Sequence, residues 1–196
     1  MSLTNVQIED LSKKMKIPLV FCDYKDMLLT EKPKIDKYYI INLEDEFDSK
    51  GNKNPGTHWV SFSTRQDARE RPQYFYFDSY GCPAPKAVQE FVKMEQIPYN
   101  KKDIQGLLSS NCGYFCLALG HYLYSYEHRT GDLYTDADNF LDLFQNMNNN
   151  MDFYVNEFIL RHFFQDTDPT KRIPLKNLHA ITELSEEQLQ SLGGQK

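Results

Sequence analysis

The run Gly113-Tyr114-Phe115-Cys116-Leu117-Ala118-Leu119-Gly120-His121-Tyr122-Leu123-Tyr124-Ser125-Tyr126-Glu127 constrains the fold more than any other stretch of the chain. Its first part is apolar on nearly every face, and a helix apolar all round is stable only when other elements enclose it. The chain must therefore build layers around one central helix. It has the means, since 196 residues are the length of one domain with at most a small appendage. With 13 Phe, 13 Tyr and 1 Trp there is ample bulk to close a core, which excludes disorder throughout.

The enclosing elements are readable in outline. Thr4-Asn5-Val6-Gln7 has the form of a capping box, and Ile8, Leu11 and Met15 follow at helical spacing before Pro18 ends the run. Tyr38–Leu43 is β-branched and aromatic enough for a buried strand, and the polar stretch Glu44–Gly56 after it is a loop that can flank a site. Thr57–Phe62 and Tyr74–Asp78 read as a hairpin of two strands, with the charged segment Arg65–Arg71 as their exposed connection. Pro85 suits the first turn of a helix whose Ala87, Val88, Phe91 and Val92 make one apolar face, with Pro98 ending that unit. Two further helical patterns cover Asp136–Gln145 and Met151–Phe164. The expected architecture is α+β, a small mixed sheet packed against the buried helix with other helices around it. Residues 1–164 form this domain. Residues 165–196 are a polar C-terminal extension with Pro169, Pro174 and a short helix capped at Ser185-Glu186-Glu187-Gln188.

Cys112 falls at the N-terminus of the central helix, and its position there carries chemical weight. A thiol is a poor nucleophile until it is a thiolate, and two devices lower its pKa: a helix N-terminus and an adjacent imidazole. Gly113 lets the backbone turn tightly after it, Ser109, Ser110 and Asn111 suit a loop that becomes a helix, and the thiol is expected to face outward. His58, held in a strand beside Trp59, is the candidate base. Asp78, at the end of the neighbouring strand, is the candidate acceptor that fixes its tautomer and stabilises the imidazolium. Gln105, seven residues before Cys112, can supply a side-chain amide to an oxyanion beside the Cys112 backbone N–H.

Charge narrows the partners. With 22 Lys+Arg against 28 Asp+Glu the net charge is −6, so no global basic field is present to hold a phosphate backbone, and nucleic acid is not expected. No apolar run reaches the roughly 18–20 residues of a membrane span, and Met1-Ser2-Leu3-Thr4-Asn5 lacks the form of a secretory signal, so a soluble protein is expected. Cys22, Cys82, Cys112 and Cys116 are too few for a disulfide scaffold and read as thiols in a reducing compartment.

Thr57-His58-Trp59-Val60, then Phe77-Asp78-Ser79-Tyr80-Gly81, then Gln105 and Asn111-Cys112-Gly113-Tyr114-Phe115-Cys116 together resemble the adenovirus maturation protease (adenain) and its wider clan, which includes SUMO- and ubiquitin-like-protein proteases. The order His, acid, Gln, Cys matches over roughly residues 37–127. The step from Gln105 to Cys112 and the second cysteine at Cys116 look more like the adenovirus type, since an Asp usually precedes the nucleophile in SUMO proteases and Asn111 stands here. The Asp-Ser-Tyr-Gly stretch and compact size resemble the proteases of virophages and polinton-like elements. The resemblance implies a papain-like, adenain-like fold with His58 as general base, Asp78 as its orienting acid, Cys112 as nucleophile and Gln105 as oxyanion donor. It departs at Asp78, where adenain has Glu. It further implies cleavage at Gly-containing sites in capsid and other structural precursors, in the virion and the host-cell cytoplasm or viral factory. An activating peptide belongs to the adenovirus type and has no counterpart identified here. The adenovirus enzyme is also stimulated by DNA, but a chain at net −6 lacks the basic surface for it. Neither an organic cofactor nor a metal is needed.

Blander readings stand beside these. Gln105 can simply cap a helix, and Asp78 can be a turn residue with Ser79. Cys116, one helical turn past Cys112, reads as a small core hydrophobe. A zinc site of Cys112, Cys116 and His121 would have all three strung along one helix and no motivated fourth ligand. The C-terminal Ser191-Leu192-Gly193-Gly194-Gln195-Lys196 resembles a Gly-Gly cleavage site, with an uncapped helix end as the simpler reading. Two rival functions remain open: a protease that removes ubiquitin-like modifiers, and a catalytically silent capsid-associated scaffold.

Overall fold

Side-chain alternation along the strands divides the core in two. In a computed structural model, residues 2–28, 32–107, 109–147 and 150–164 are described. Four strands, β1 (Leu19–Tyr24), β2 (Tyr38–Asn42), β3 (Trp59–Gln66) and β4 (Pro72–Phe77), pair in that order, β1 parallel to β2 and the rest antiparallel. Tyr38, Ile40, Trp59, Phe75 and Phe77 point to one face, while Tyr39, Ile41, Val60, Phe62 and Tyr76 point to the other. Because both faces are covered, β2 reads as a continuous apolar run rather than an alternating one. The second face carries α2 (Lys86–Val92) through Val88, Phe91 and Val92.

The first face carries α1 (Asn5–Lys14), α3 (Cys112–Tyr124), α4 (Leu133–Leu141) and α5 (Asn150–His162). At the centre is α3, with Phe115, Leu117, Leu119 and Leu123 at 0% exposure, each contributing about 1.5–3 kcal/mol of burial. Small residues Ser61 and Ser63 on the same face of β3 leave room for it. The helix and β3 run side by side, start to start. Trp59 meets Cys112 and Cys116, the Tyr38 hydroxyl on β2 donates to the Cys116 carbonyl at 2.6 Å, and the Tyr124 hydroxyl reaches the Thr64 carbonyl at 2.9 Å. The α+β class with a mixed sheet against a buried helix is thus the observed architecture.

Local signals held where they were strong. The capping box at Thr4 is present in full, with the Thr4 side chain accepting from the Gln7 N–H and Gln7 reaching back to the Thr4 N–H. The hairpin of β3 and β4 forms, but β3 runs on to Gln66. Arg65 is therefore not part of an exposed connection. It is fully buried, on the face toward α3, donating to the Asp136 carboxylate and the Leu123 carbonyl. Helix α4 begins three residues earlier than its apolar pattern, because the Asp132 side chain accepts the Thr135 N–H and sets the cap. Strand β1 has no counterpart in the sequence reading. Among the described residues no helix is long and apolar enough to cross a membrane. The C-terminal extension 165–196, with its expected helix at Ser185–Gln188 and its Gly193-Gly194 pair, lies outside the described residues.

Candidate active site

The start of β3, the end of β4 and the start of α3 converge, and three of the four singled-out side chains come together there. His58 sits immediately before β3 rather than inside it, yet its carbonyl accepts the Leu43 N–H at 3.0 Å and extends the β2–β3 ladder by one step. Its ring is therefore carried on a fixed backbone. Asp78, just past β4, is almost fully buried, and its Oδ1 lies 2.8 Å from His58 Nε2. That leaves Nδ1 for the thiol, and the imidazole and the Cys112 thiol lie close enough for each to shift the other's pKa.

Cys112 does not face outward as its place at a helix start suggests. It is 2% exposed, its Sγ accepts the backbone N–H of Trp59 at 3.4 Å, and the Gly113 N–H also acts on it. Burial pushes the thiol up, but the His58 ring and these two N–H groups outweigh it and hold the pKa below the usual 9.0. Burial lowers His58, yet its bonds to Asp78 and Cys112 prevail and raise it from 6.5 to about 9. Both shifts move the pair toward a thiolate beside an imidazolium. Gly113 plays a different part from the one its sequence position suggests. It is helical, without the left-handed φ of a tight turn, and what it provides is space: a Cβ there would stand 3.4 Å from Leu3 and Ile8 of the N-terminal segment.

Gln105 is 1% exposed, and it does not cap α3, whose N-cap Asn111 has no side-chain capping bond either. Its Oε1 accepts from Ser79 Oγ at 2.7 Å, while its Nε2 donates to the Ser109 carbonyl at 2.8 Å and to Tyr80 Oη at 3.1 Å. Asp78 combines the roles set against each other in its sequence reading, since the same Oδ1 that meets His58 also accepts the Tyr80 N–H at 2.9 Å, as a turn residue would.

Three supporting residues were missed from sequence. Asn100 grips the Asp78 backbone on both sides, its Oδ1 accepting the Asp78 N–H at 3.0 Å and its Nδ2 donating to the Asp78 carbonyl at 2.6 Å. Tyr80 lies against the His58 ring, centroids 4.8 Å apart. Glu157 on α5 accepts from Ser109 Oγ at 2.7 Å and from Asn111 Nδ2, bracing the segment that leads into Cys112. Asn156 adds a bond to the Ile104 carbonyl at 3.0 Å, and the Phe153 ring fills the space over Gly106. Asn111, Tyr114, Glu157, Leu160, Arg161 and Phe164 line a cavity of ≈ 400 Å³ beside this segment. None of these contacts has a local sequence signature, since the Asn100 bonds to Asp78 already span 22 residues and those of Glu157 and Asn156 span 46 to 52.

The other thiols and histidines are occupied differently. Cys116 is fully buried, its Sγ donating to the Trp59 carbonyl at 3.5 Å, and burial holds its pKa well above 9.0. Burial likewise raises Cys22, and Cys82 is the exposed thiol of the four. His121 Nδ1 bonds the Met15 carbonyl at 3.0 Å, and His128 stacks on Tyr122. Cys112 and Cys116 are both turned to the Trp59 backbone and His121 to Met15, and no group of three or more metal-binding side chains is found among the described residues.

No protein-family model matches the chain, and no curated protein matches it either. Among solved structures it is similar to the Xanthomonas campestris effector protein XopD, determined bound to ubiquitin. The likeness has a TM-score of 0.38 at 12% identity and covers 72% of this chain and 90% of that one.

Proposed function

We propose that the chain is a cysteine peptidase with Cys112 as nucleophile, His58 as general base and acid, and Asp78 as the group that orients His58. The observation that carries this reading is the convergence of a helix-N-terminal thiol, an imidazole on that thiol and a buried carboxylate 2.8 Å from the imidazole's other nitrogen. Each supplies one requirement of acyl transfer. The Cys112 thiolate attacks the scissile carbonyl carbon, and the carbonyl π pair moves to oxygen. The Cys112 N–H, without a helical acceptor at the first position of α3, meets that oxyanion together with a side-chain donor from the hydrogen-bonded Gln105 and Tyr80. Collapse expels the amine, which takes its proton from His58, and water activated by His58 then hydrolyses the thioester.

The motif resemblance supports a glycine before the scissile bond, and with it maturation cleavage of viral capsid or other structural precursors. The same resemblance admits the C-terminal tail of a ubiquitin-like modifier as substrate. The test offers the protein both a capsid-derived Gly-Gly peptide and a ubiquitin-like fusion, with Cys112→Ala as control and product masses as readout. Cleavage after glycine that disappears in Cys112→Ala is the expected result. Turnover of the fusion alone replaces the maturation reading with deconjugation. Failure to cleave either, with Cys112 no more reactive than Cys82, overturns the peptidase reading in favour of a silent scaffold.

A further inference from the structure

The oxyanion role assigned to Gln105 meets a counting problem. A primary amide has two N–H hydrogens. The neighbour of Nε2 at 2.8 Å is the carbonyl of Ser109, which can only accept, and the neighbour of Oε1 is the Ser79 hydroxyl, so the amide orientation is fixed. One hydrogen goes to Ser109 and the other to Tyr80 Oη. Gln105 has none left for a substrate. Tyr80 is the reverse case: its oxygen receives the Gln105 hydrogen, and its own O–H meets no acceptor among the described residues.

From this we propose that the Tyr80 hydroxyl is the side-chain donor to the oxyanion, with Gln105 acting through it as a positioning residue. The proposal rests on the peptidase reading above and deepens it. Ser79, Gln105 and Tyr80 form a directed chain, hydroxyl to carbonyl and amide to phenol, in which each donation strengthens the next donor. The phenol is held on three sides. Its ring lies on His58, its backbone N–H is bonded to Asp78 Oδ1, and the turn that follows is closed by Gly81 at φ +71. Only glycine fits there, because a Cβ would come within 2.9 Å of the Lys101 carbonyl. Burial first, and then the nearby Cys112 charge, raise the phenol above its usual pKa, so it stays a proton donor at neutral pH.

Two reactions of the same sulfur separate this role from a structural one. Acylation by p-nitrophenyl acetate passes through an oxyanion: Sγ bonds to the carbonyl carbon, the π pair moves to oxygen and returns, and p-nitrophenolate leaves. Alkylation by iodoacetamide displaces iodide directly and makes no oxyanion. Tyr80→Phe keeps the ring on His58 and removes only the hydroxyl. We expect it to slow Cys112 acylation by about tenfold or more while alkylation stays within about twofold. Gln105→Ala should show the same split, and the double variant should be no slower than the slower single one. The proposal is overturned if Tyr80→Phe acylates at the wild-type rate, if the two effects multiply, or if acylation and alkylation fall together. Acylation of the wild type no faster than that of Cys112→Ala removes the peptidase reading itself and the proposal with it.

Discussion

The two ends of α3 solve the same electrostatic problem in opposite ways. A helix presents partial positive charge at its N-terminus and partial negative charge at its C-terminus, and each end favours an opposite charge beside it. At the C-terminal end the partner is fixed: the Arg65 guanidinium donates to the Leu123 carbonyl and pairs with Asp136, both side chains at 0% exposure. At the N-terminal end the partner is made by titration, as the Cys112 thiol loses a proton and His58 gains one. His58 keeps 15% of its side chain exposed. Both charges are reached from β3, whose two ends flank the two ends of α3. A closed pair with a permanent cation holds strand and helix in register, and a rim-exposed pair whose charge can come and go is suited to chemistry.

The largest effect that tests this contrast is loss of the titrating charge. In His58→Ala, Cys112 loses the imidazole that holds its pKa down, while burial, which raises it, remains. A thiol of ordinary pKa is only about 1–3% thiolate at pH 7, so alkylation of Cys112 should fall there by up to about 30- to 100-fold. The wild-type rate should rise with pH through the lowered Cys112 value, and the ion-paired form should give way as pH passes about 9, where His58 loses its proton. The linked stability has a definite sign. The raised His58 pKa stabilises the fold fully below its ordinary 6.5, and that contribution is lost as pH rises through about 9. The lowered Cys112 pKa works oppositely, stabilising above 9.0 and fading as pH falls through the depressed value. Alkylation of Cys112 at pH 7 that is unchanged in His58→Ala would break the contrast at this end.

The complementary test removes the permanent charge. Arg65→Met leaves the Asp136 carboxylate buried without its cation, which costs about 3–5 kcal/mol of stability in urea unfolding. Thr130 softens this only in part, through its hydroxyl at 2.6 Å and its N–H at 2.9 Å from Asp136 Oδ1. Molecules still folded should keep the wild-type pH profile of Cys112 alkylation. If the profile shifts with Arg65→Met, the two ends are coupled and the division of labour between them is wrong.

How legible each end was in the sequence follows from how far its partners lie along the chain. Thr4 and Gln7 cap α1 within four residues, and their pattern read correctly. The apolar run of α3 announced its own burial. His58, Asp78, Gln105 and Cys112 were singled out because four chemical roles appeared in order, and three of these side chains meet directly while Gln105 approaches through Tyr80. Arg65 looked like part of a charged loop because nothing nearby reveals Asp136, 71 residues on. Asn100, Tyr80 and Glu157 escaped for the same reason, and β1 because its pairing with β2 is parallel, irregular between Leu19 and Phe21, and half-exposed.

The smallest expected effect separates two glycines of α3 that look alike in sequence. Gly120, midway along the helix, faces Tyr38, and a Cβ there would come within 2.6 Å of its ring. That ring cannot retreat, because its hydroxyl donates to the Cys116 carbonyl at 2.6 Å and its oxygen is hydrogen-bonded to Ser61 Oγ at 2.7 Å. Gly120→Ala should therefore destabilise by about 1–3 kcal/mol, the range for overpacking a well-filled core. Gly113, beside Cys112, would bring a Cβ to 3.4 Å from Leu3 and Ile8, an ordinary contact. The better helix propensity of Ala offsets what crowding remains, so Gly113→Ala should lie within about 1 kcal/mol of wild type in the same unfolding experiment. The ordering sharpens the comparison of the ends. Near the titrating pair the packing tolerates an added methyl, whereas where α3 crosses β2 it does not, so the register of the site is fixed from the middle of the helix. A larger loss at Gly113 than at Gly120 would move that anchor to the Cys112 end of the helix.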